Sequence, residues 1–434
     1  MRTGGAHFAI AALLATTGGV HATPARAAAC GSPPPPAQPI RDIPWPQRWL
    51  ATDRLDALGS GRDVVVAVLD SGVDARHPQL RGRVMAGRDF LEPARGNDGR
   101  IDCNGHGTAV ASIIAASPAD GTGLRGIAPE ARILPVRVSE QEVIDGTTSG
   151  RTVGPAAFAA AIRWAVDNGA DVLNLSVVLY DDVRAVRDAV AYAVAEDVVV
   201  VAAVGNLSQQ GNPTPYPAAY DELVIGVGAI GPDGLRLPFS QVGEYVDVMA
   251  PGAEVTVAVP GGGHALQSGT SYAAPFASGT AALVRQLFPG LSEEEIRRRL
   301  EATTDPAPGG RTSQTYGLGN LDPYRAATAL MSGGDAVRLS PLPPARKDPA
   351  AAAARARAAR VRAEAIRLAV GGVGLAGLVV IVAMILPPGM RRRWRSADAV
   401  GPRIPARHRR PGRRRRAENP SPAPTTLPTP SGRR

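Results

Sequence analysis

Ser268-Gly-Thr-Ser-Tyr-Ala-Ala-Pro-Phe-Ala-Ser-Gly279 is the stretch on which the fold and chemistry of this 434-residue chain depend. It places the hydroxyl of Ser271 after a Gly-Thr bend, at the start of an apolar helix that runs to Phe288. Proline is tolerated in the first turn of a helix, so Pro275 predicts that Ser271 lies within about one turn of the N-terminus. Unpartnered N–H groups there favour an oxyanion beside the hydroxyl. Taken alone, Gly-Thr-Ser also fits a plain capped turn.

Two upstream segments supply partners for this hydroxyl. The run Val64-Val-Val-Ala-Val-Leu-Asp-Ser-Gly-Val-Asp74 is apolar and rich in β-branched residues, as expected for a buried parallel strand that ends at Asp70. In Asn104-Gly-His-Gly-Thr-Ala-Val-Ala-Ser-Ile-Ile114, His106 stands between two glycines where a small-residue helix begins, so a substrate can approach the imidazole closely. Asp, His and Ser in this chain order form one of the known hydrolytic triads.

Four segments resemble the subtilisin family of serine proteases, in which the triad has this same order. They cover roughly residues 60–330 and are Asp70-Ser-Gly72, Asn104-Gly-His-Gly-Thr108, Ala202-Ala-Val-Gly-Asn206 and Gly269-Thr-Ser-Tyr-Ala-Ala-Pro275. Within the family the chain is most similar to the mycosins, membrane-anchored proteases associated with type VII secretion systems of actinobacteria. The resemblance implies peptide hydrolysis by Asp70, His106 and Ser271, with no metal or organic cofactor.

The resemblance also implies roles around the cleft. Asn206 follows the apolar run 198–203, and its amide is expected to donate to the oxyanion opposite the Ser271 N–H, although an asparagine there can also serve only the turn. Substrate binding as an added strand is expected at Asn174, Leu175, Ser176 and Gly205. The chain continues Val177-Val178 where the family usually has Leu-Gly, so we expect small side chains before the scissile bond.

Apolar strand candidates alternate with helix candidates from Gly61 onward. This alternation predicts an α/β fold with a doubly wound, mostly parallel sheet flanked by helices and functional groups at the carboxyl ends of strands. The expected strands are Val64–Leu69, Ile133–Val138, Val172–Leu175, Val198–Ala203 and Leu223–Val227. The expected helices are His106–Ala116, Pro155–Asn168, Asp182–Ala195, Ser271–Phe288 and Ser292–Thr303.

The positive charge of the chain is concentrated at one end. The formal net charge is +9, but the residues from Pro387 onward hold 14 Arg against one Asp and one Glu. Residues 1–386 therefore sum to −3. The folded part has no electrostatic support for nucleic-acid binding and no nucleic-acid-binding motif.

The N-terminus predicts export. Arg2 precedes the apolar run 8–20, and small residues follow at 25–29, as in a secretory signal peptide cleaved near Ala27 or Ala29. An uncleaved anchor and a lipoprotein modified at Cys30 are the alternatives. The extension from Cys30 to Ser60 is too short and too Pro-rich for a folded inhibitory propeptide, and its run Pro33-Pro-Pro-Pro36 favours an extended path over the catalytic domain. Trp45 and Trp49 would then insert into surface grooves.

The chain has two cysteines, Cys30 and Cys103. An even pair in an exported protein predicts one disulfide, which would tie the extension to the loop before His106. Closing a loop of this length contributes about 3–4 kcal/mol in the chain-entropy model. Two cysteines without a histidine cluster do not complete a zinc site, so no metal is expected.

Two polar segments, Arg88–Asp102 and Ser139–Val153, are interpreted as insertions around the cleft rim that select substrates or bind a partner. Carboxylates in the first segment match no calcium-loop signature, and we expect a solvated rim; they are Asp89, Glu92, Asp98 and Asp102. The size of these loops, together with the anchor, also fits a rival hypothesis: the domain mainly caps a secretion membrane complex and proteolysis is secondary.

The C-terminal third predicts a membrane anchor. Leu368–Leu386 is uncharged and is followed by the Arg-rich segment 391–395, as in a single span with the Arg-rich tail in the cytoplasm and the catalytic domain outside. A buried core helix is the alternative. The expected order is a signal peptide (1–29), a Pro-rich extension (30–60), a peptidase domain (61–331), a linker (332–367), a transmembrane helix (368–386) and a tail (387–434).

Overall fold

The computed structural model describes residues 36–93, 98–140, 142–144, 147–308 and 312–331. Eleven strands lie within these ranges: β1 (Val65–Asp70), β2 (Arg88–Asp89), β3 (Arg132–Arg137), β4 (Glu142–Ile144), β5 (Thr147–Ser149), β6 (Val172–Leu175), β7 (Val199–Ala203), β8 (Ile225–Ile230), β9 (Val248–Pro251), β10 (Val255–Ala258) and β11 (His264–Gln267). Seven of them form one sheet in the order β2-β3-β1-β6-β7-β8-β9. Every neighbouring pair in this sheet is parallel, so the predicted parallel sheet is confirmed.

Helices cover both faces of the sheet. Within the described ranges they are α1 (Trp45–Trp49), α2 (His106–Ala115), α3 (Pro155–Asp167), α4 (Arg184–Ala195), α5 (Thr270–Leu287), α6 (Glu293–Ala302) and α7 (Pro323–Thr328). In β1, Val66 and Val68 pack with α2 and α5, whereas Ala67 and Leu69 pack with α3. Burial on both faces explains why β1 is a continuous apolar run without polar alternation.

The strand order reverses at β1, because the chain passes from β1 to β3 on one side and then to β6 on the other. In open α/β sheets, such a reversal opens a crevice beyond the carboxyl ends of the strands. Asp70 is the last residue of β1 and therefore lies at this crevice.

The predicted elements agree with the observed ones to within one to three residues. The strand predicted at Val172–Leu175 is confirmed with the same bounds, and α2 ends one residue before the predicted Ala116. The sequence did not predict β2 or β9, which are two and four residues long. The rim segment Ser139–Val153 contains an antiparallel hairpin of β4 and β5 rather than only loop.

The N-terminal extension lies against the hairpin of β10 and β11. Ala37 N donates to Gly262 O at 2.9 Å, and Ile40 N donates to Nδ1 of His264 at 2.9 Å. Trp45 is half-buried and its indole N–H donates to Ala253 O at 2.8 Å, as a groove residue would. Trp49 is 41% exposed, and its six-membered ring lies over Gly234, where an added Cβ would meet Cη2 of Trp49 at 2.9 Å.

No helix within the described ranges is long and apolar enough to cross a membrane. The predicted signal peptide, the cysteine at position 30, the span 368–386 and the tail all lie outside those ranges. The predictions about them stay predictions.

Candidate active site

Asp70 and His106 meet where β1 ends and α2 begins. Oδ1 of Asp70 lies 2.7 Å from Nδ1 of His106, and the same oxygen accepts a hydrogen bond from Ser71 N at 2.7 Å. The Asp70 side chain is 3% exposed and that of His106 is 23% exposed. A buried carboxylate therefore holds one edge of an imidazole whose other part reaches the solvent.

Gly107 allows this close approach of helix and strand. A Cβ at position 107 would lie 2.0 Å from Gly72 O and 3.1 Å from the Cβ of Asp70. Any side chain here would push α2 away from the end of β1. The second glycine of the Asn104–Thr108 motif is thus required by packing between the two elements that carry Asp70 and His106.

Ser271 is the second residue of α5, which confirms its predicted position in the first helical turn. Pro275 lies inside the helix and has no N–H, so the carbonyl of Ser271 lacks its usual donor four residues later. Oγ of Ser176 donates to this carbonyl at 3.0 Å. The Ser271 hydroxyl in turn donates to Ser176 O at 3.3 Å, which is long for an O–H···O bond, so the hydroxyl can turn easily.

The orientation of the Asn206 amide is determined by Thr270. Oδ1 of Asn206 accepts from Thr270 N and from Thr270 Oγ1, each at 3.0 Å. A backbone N–H can only donate, so the atom facing it is the amide oxygen and the NH₂ group points elsewhere. Gly205 N donates to Thr270 Oγ1 at 3.1 Å, which completes the network.

One cleft of about 780 Å³ brings the predicted residues together. Its lining includes Asp70, His106, Ser271, Asn206, Ser176, Gly205, Val177, Val178 and Tyr180. These residues come from the ends of β1, β6 and β7 and the starts of α2 and α5. A hydroxyl, an imidazole held by a carboxylate, and an oriented amide thus face one solvent-connected space.

Two predicted substrate-binding residues do not reach this cleft. Asn174 and Leu175 are fully buried and do not line it, so the structure does not bring them together with Ser176 and Gly205 in the cleft, and their role in substrate binding stays a prediction. Asn174 instead donates to Ser176 Oγ at 2.9 Å and accepts from Ser278 Oγ at 2.8 Å. It therefore supports the serine that holds Ser271.

The expectation of a solvated rim is also wrong for two carboxylates. Asp89 is 1% exposed and pairs with the buried Arg137 at 2.5 Å, and Asp102 is 2% exposed. Asp98 does pair with Arg100 in a partly exposed position, as expected of a rim. Burial raises the pKa of the Asp102 carboxyl, and hydrogen bonds from its neighbours oppose that rise.

Within the described ranges, the two histidines other than His106 lie apart from the cleft lining. His77 and His264 are buried with ring centroids 6.3 Å apart, and burial lowers the pKa of both, to about 4 for His264. In the part of the chain that the structure describes, no group of three or more His, Cys, Asp or Glu side chains is arranged to hold a metal ion.

Comparison with known proteins supports the resemblance drawn from the motifs. Residues 61–319 match the sequence model described as "Subtilase family". The "Thermophilic serine proteinase" of Bacillus sp. (strain AK1) is 40% identical over 270 residues, which cover 62% of this chain and 62% of that protein. The matched region thus spans less than two thirds of that relative.

Mycosin relatives match as well. "Mycosin-4" of Mycobacterium tuberculosis (strain ATCC 25618 / H37Rv) is 36% identical over 312 residues, which cover 64% of this chain and 67% of that protein. The crystal structure of MycP1 from the ESX-1 type VII secretion system superposes with a TM-score of 0.59 at 28% identity, covering 70% of this chain and 90% of MycP1.

Proposed function

The chain belongs to the subtilase family, and on that premise we propose that it is a membrane-anchored serine endopeptidase with Asp70, His106 and Ser271 as its triad. The observation that carries the proposal is the 2.7 Å contact between Asp70 and His106, in a cleft that Ser271 also lines. Their order along the chain and their origin on three separate elements match the arrangement that the triad chemistry needs.

In the proposed reaction, Ser271 Oγ attacks a peptide carbonyl while Nε2 of His106 takes the hydroxyl proton. Nδ1 of His106 is bonded to Asp70, so the carboxylate orients the ring and stabilises the imidazolium that forms. The imidazolium then gives its proton to the leaving amine, which leaves an acyl-enzyme. Water activated by His106 releases the acyl group and restores the Ser271 hydroxyl.

Two donors are proposed to stabilise the tetrahedral oxyanion. The first is the N–H of Ser271, near the positive end of the α5 dipole. The second is the NH₂ group of Asn206, whose oxygen is already engaged by Thr270. Because the amide is held before the substrate arrives, little reorganisation is needed during the reaction.

The proposed substrate is an extended peptide that adds to the edge formed by Ser176 and Gly205, both of which line the cleft. Val177 and Val178 line the same region. We expect their branched side chains to leave room only for small residues before the scissile bond.

Labelling with an active-site phosphonate tests the catalytic proposal. The wild-type protein should form a covalent adduct that peptide mapping places on Ser271, and it should cleave a peptide with a small residue before the scissile bond. Ser271→Ala should neither label nor cleave, while its circular dichroism spectrum stays native. Wild-type labelling at another residue, or equal cleavage by the variant, would refute the triad.

We further propose that residues 1–29 are a signal peptide, that Cys30 pairs with Cys103, and that 368–386 is a single span with the tail in the cytoplasm. The similarity to mycosin-4 and to a MycP1 of a type VII secretion system supports a place beside such a system. Protease digestion of intact and of permeabilised cells tests the topology. The catalytic domain should be cut in both, and an epitope at the C-terminus should be lost only after permeabilisation.

A second candidate function is a structural cap on the secretion membrane complex. The observation in its favour is that the rim segment is tied by ion pairs: Arg137 contacts Asp89 and Glu140, and Arg151 contacts Glu92 and Glu140. Export that survives Ser271→Ala but fails on deletion of the whole chain would favour the cap. Export lost in both would favour proteolysis.

A further inference from the structure

Asp102 lies in the loop before α2 and accepts five hydrogen bonds. Oδ1 accepts from Ser71 Oγ at 2.9 Å, from Asn104 N at 3.1 Å and from Gly105 N at 2.8 Å. Oδ2 accepts from Thr108 N at 2.8 Å and from Thr108 Oγ1 at 2.6 Å. With this many donors and 2% exposure, the side chain is enclosed by protein polar groups.

The donors around Asp102 favour its ionised form and so oppose the rise in pKa that burial causes. Ser71 Oγ already accepts from Gly107 N at 2.9 Å, and Thr108 Oγ1 already accepts from Asp74 N at 2.9 Å. Each hydroxyl thus still has its own proton to donate to Asp102. The other three contacts come from backbone N–H groups, which can only donate and therefore favour the carboxylate over the protonated acid.

The network joins the two elements that carry Asp70 and His106. Ser71 follows Asp70 directly, and its N–H binds the Asp70 oxygen that contacts His106. The peptides of Gly105 and Gly107, on either side of His106, are both held within the same network, one by Asp102 and one by Ser71. A displacement of Asp102 would thus change the position of both members of the pair.

We propose that Asp102 is a positioning residue for the reaction: its buried carboxylate, through Ser71 and the start of α2, sets the separation and the electrostatic environment of Asp70 and His106. The inference rests on the proposed triad. Asp102 touches neither the substrate nor a reacting atom; it acts through the residues that do. Its negative charge also favours the imidazolium that forms at His106 during the reaction.

Asp102→Asn tests the proposal, because it keeps the shape of the side chain but replaces one acceptor oxygen with a donor. That NH₂ group would face either the three donors at Oδ1 or the two donors at Oδ2. We expect kcat to fall about 10- to 100-fold with KM nearly unchanged, as for a small misplacement of catalytic groups. The acid limb of the kcat/KM profile should move to lower pH, because removing the charge destabilises the imidazolium.

The matched control is Asp98→Asn, which changes a carboxylate of the same loop that lies outside the cleft and pairs with Arg100. It should keep kcat within twofold and the acid limb in place. If Asp102→Asn does not fold, Ser71→Ala removes one link and leaves four bonds to Asp102; it should retain a native spectrum with kcat reduced about 3- to 10-fold. The low-field proton resonance of the His106–Asp70 bond should shift or broaden in either variant.

Wild-type kcat and an unmoved acid limb in Asp102→Asn would overturn the proposal. If that variant fails to fold, wild-type kcat in Ser71→Ala would overturn it. Failure of the proposed function is a different result. In that case the wild-type protein itself neither labels at Ser271 nor cleaves peptide, and the variants are not needed to decide.

Discussion

The two walls of the cleft are held in different ways. The acid–base wall, formed by Asp70 and His106, rests on two buried carboxylates, Asp70 and Asp102. The hydroxyl wall is formed by Ser271, Asn206 and Ser176. Within the described network, neutral groups hold it. The Thr270 peptide and hydroxyl donate to Asn206, and the Ser176 hydroxyl donates to the Ser271 carbonyl, which has no helical donor because residue 275 is proline.

This difference predicts how each wall responds to change. A buried charge that loses its partner costs far more than a buried neutral group that loses one hydrogen bond. The charged wall also supplies the proton transfer, whereas the neutral wall supplies a preformed oxyanion site. We therefore expect the largest loss of rate, apart from removal of the nucleophile itself, at Asp70 on the acid–base wall.

Asp70→Asn should have the largest effect of the variants compared here. An amide at position 70 holds the imidazole in the wrong tautomer or releases it, and the adjacent charge that stabilises the imidazolium is lost. We expect kcat to fall about 10⁴-fold, a magnitude known from triad enzymes that include subtilisin itself. Steady-state kinetics on a peptide substrate measures the loss, and Asp188→Asn on the exposed face of α4 serves as the control. A loss below tenfold would contradict the assignment of Asp70.

Asn206→Ala should follow, with kcat lower by about 10²- to 10³-fold and KM little changed. This magnitude is that of the matching oxyanion donor in subtilisin, so it tests whether this chain behaves like the family. Asn206→Asp sharpens the test because it keeps an acceptor for Thr270 but loses the NH₂ group. The Asp variant should be at least as slow as the Ala variant. Wild-type activity in Asn206→Asp would show that the amide serves only the turn.

The elements that carry both walls could be predicted from the sequence for a physical reason. The run before Asp70 is buried on both faces and too short for a helix, so its composition identifies a parallel strand. Pro275 restricts where α5 can begin, which places Ser271 in its first turn. Both signals are local, and the structure agrees with both.

The support beneath the walls could not be predicted, because it depends on contacts between distant parts of the chain. Asp102 resembles any loop carboxylate until Ser71 is brought next to it from 31 positions away. Asn174 lies next to cleft residues in sequence, but the pleat of β6 turns it into the core towards Ser278. The one signal in the sequence was the position of Asp102, four residues before His106, where a helix is predicted to begin.

Ser176→Ala should have a moderate effect, because it removes the donor to the Ser271 carbonyl. We expect kcat to fall about 3- to 10-fold and the free energy of unfolding to fall by about 1 kcal/mol, as for one neutral hydrogen bond. Pro275→Ala would restore an N–H that can donate to the same carbonyl. The double variant should therefore lose less than the sum of the single variants, measured by kinetics and by denaturation. Strict additivity would show that this bond does not position Ser271.

The smallest effect on rate is expected at His264, on the hairpin that contributes Val259 and Pro260 to the cleft beside the acid–base wall. Nδ1 of His264 accepts from Ile40 N, and Nε2 lies 2.6 Å from Gln79 Oε1, so the ring is neutral with its proton on Nε2. Burial lowers the pKa of His264 to about 4, from an ordinary value near 6.5.

The unfolded chain binds a proton at His264 below about pH 6.5, whereas the folded protein does not bind it until about pH 4. The contribution of His264 to the free energy of unfolding is therefore complete above pH 6.5 and is lost as the pH falls to 4. The contribution is at most about 3 kcal/mol. Denaturant unfolding at pH 7.5, 5.5 and 4.5 should show a steeper loss for the wild-type protein than for His264→Asn, while kcat at pH 7.5 differs less than twofold. Parallel pH dependence of the two proteins would show that folding does not lower the pKa of His264, and would leave the acid sensitivity of stability to groups such as His77.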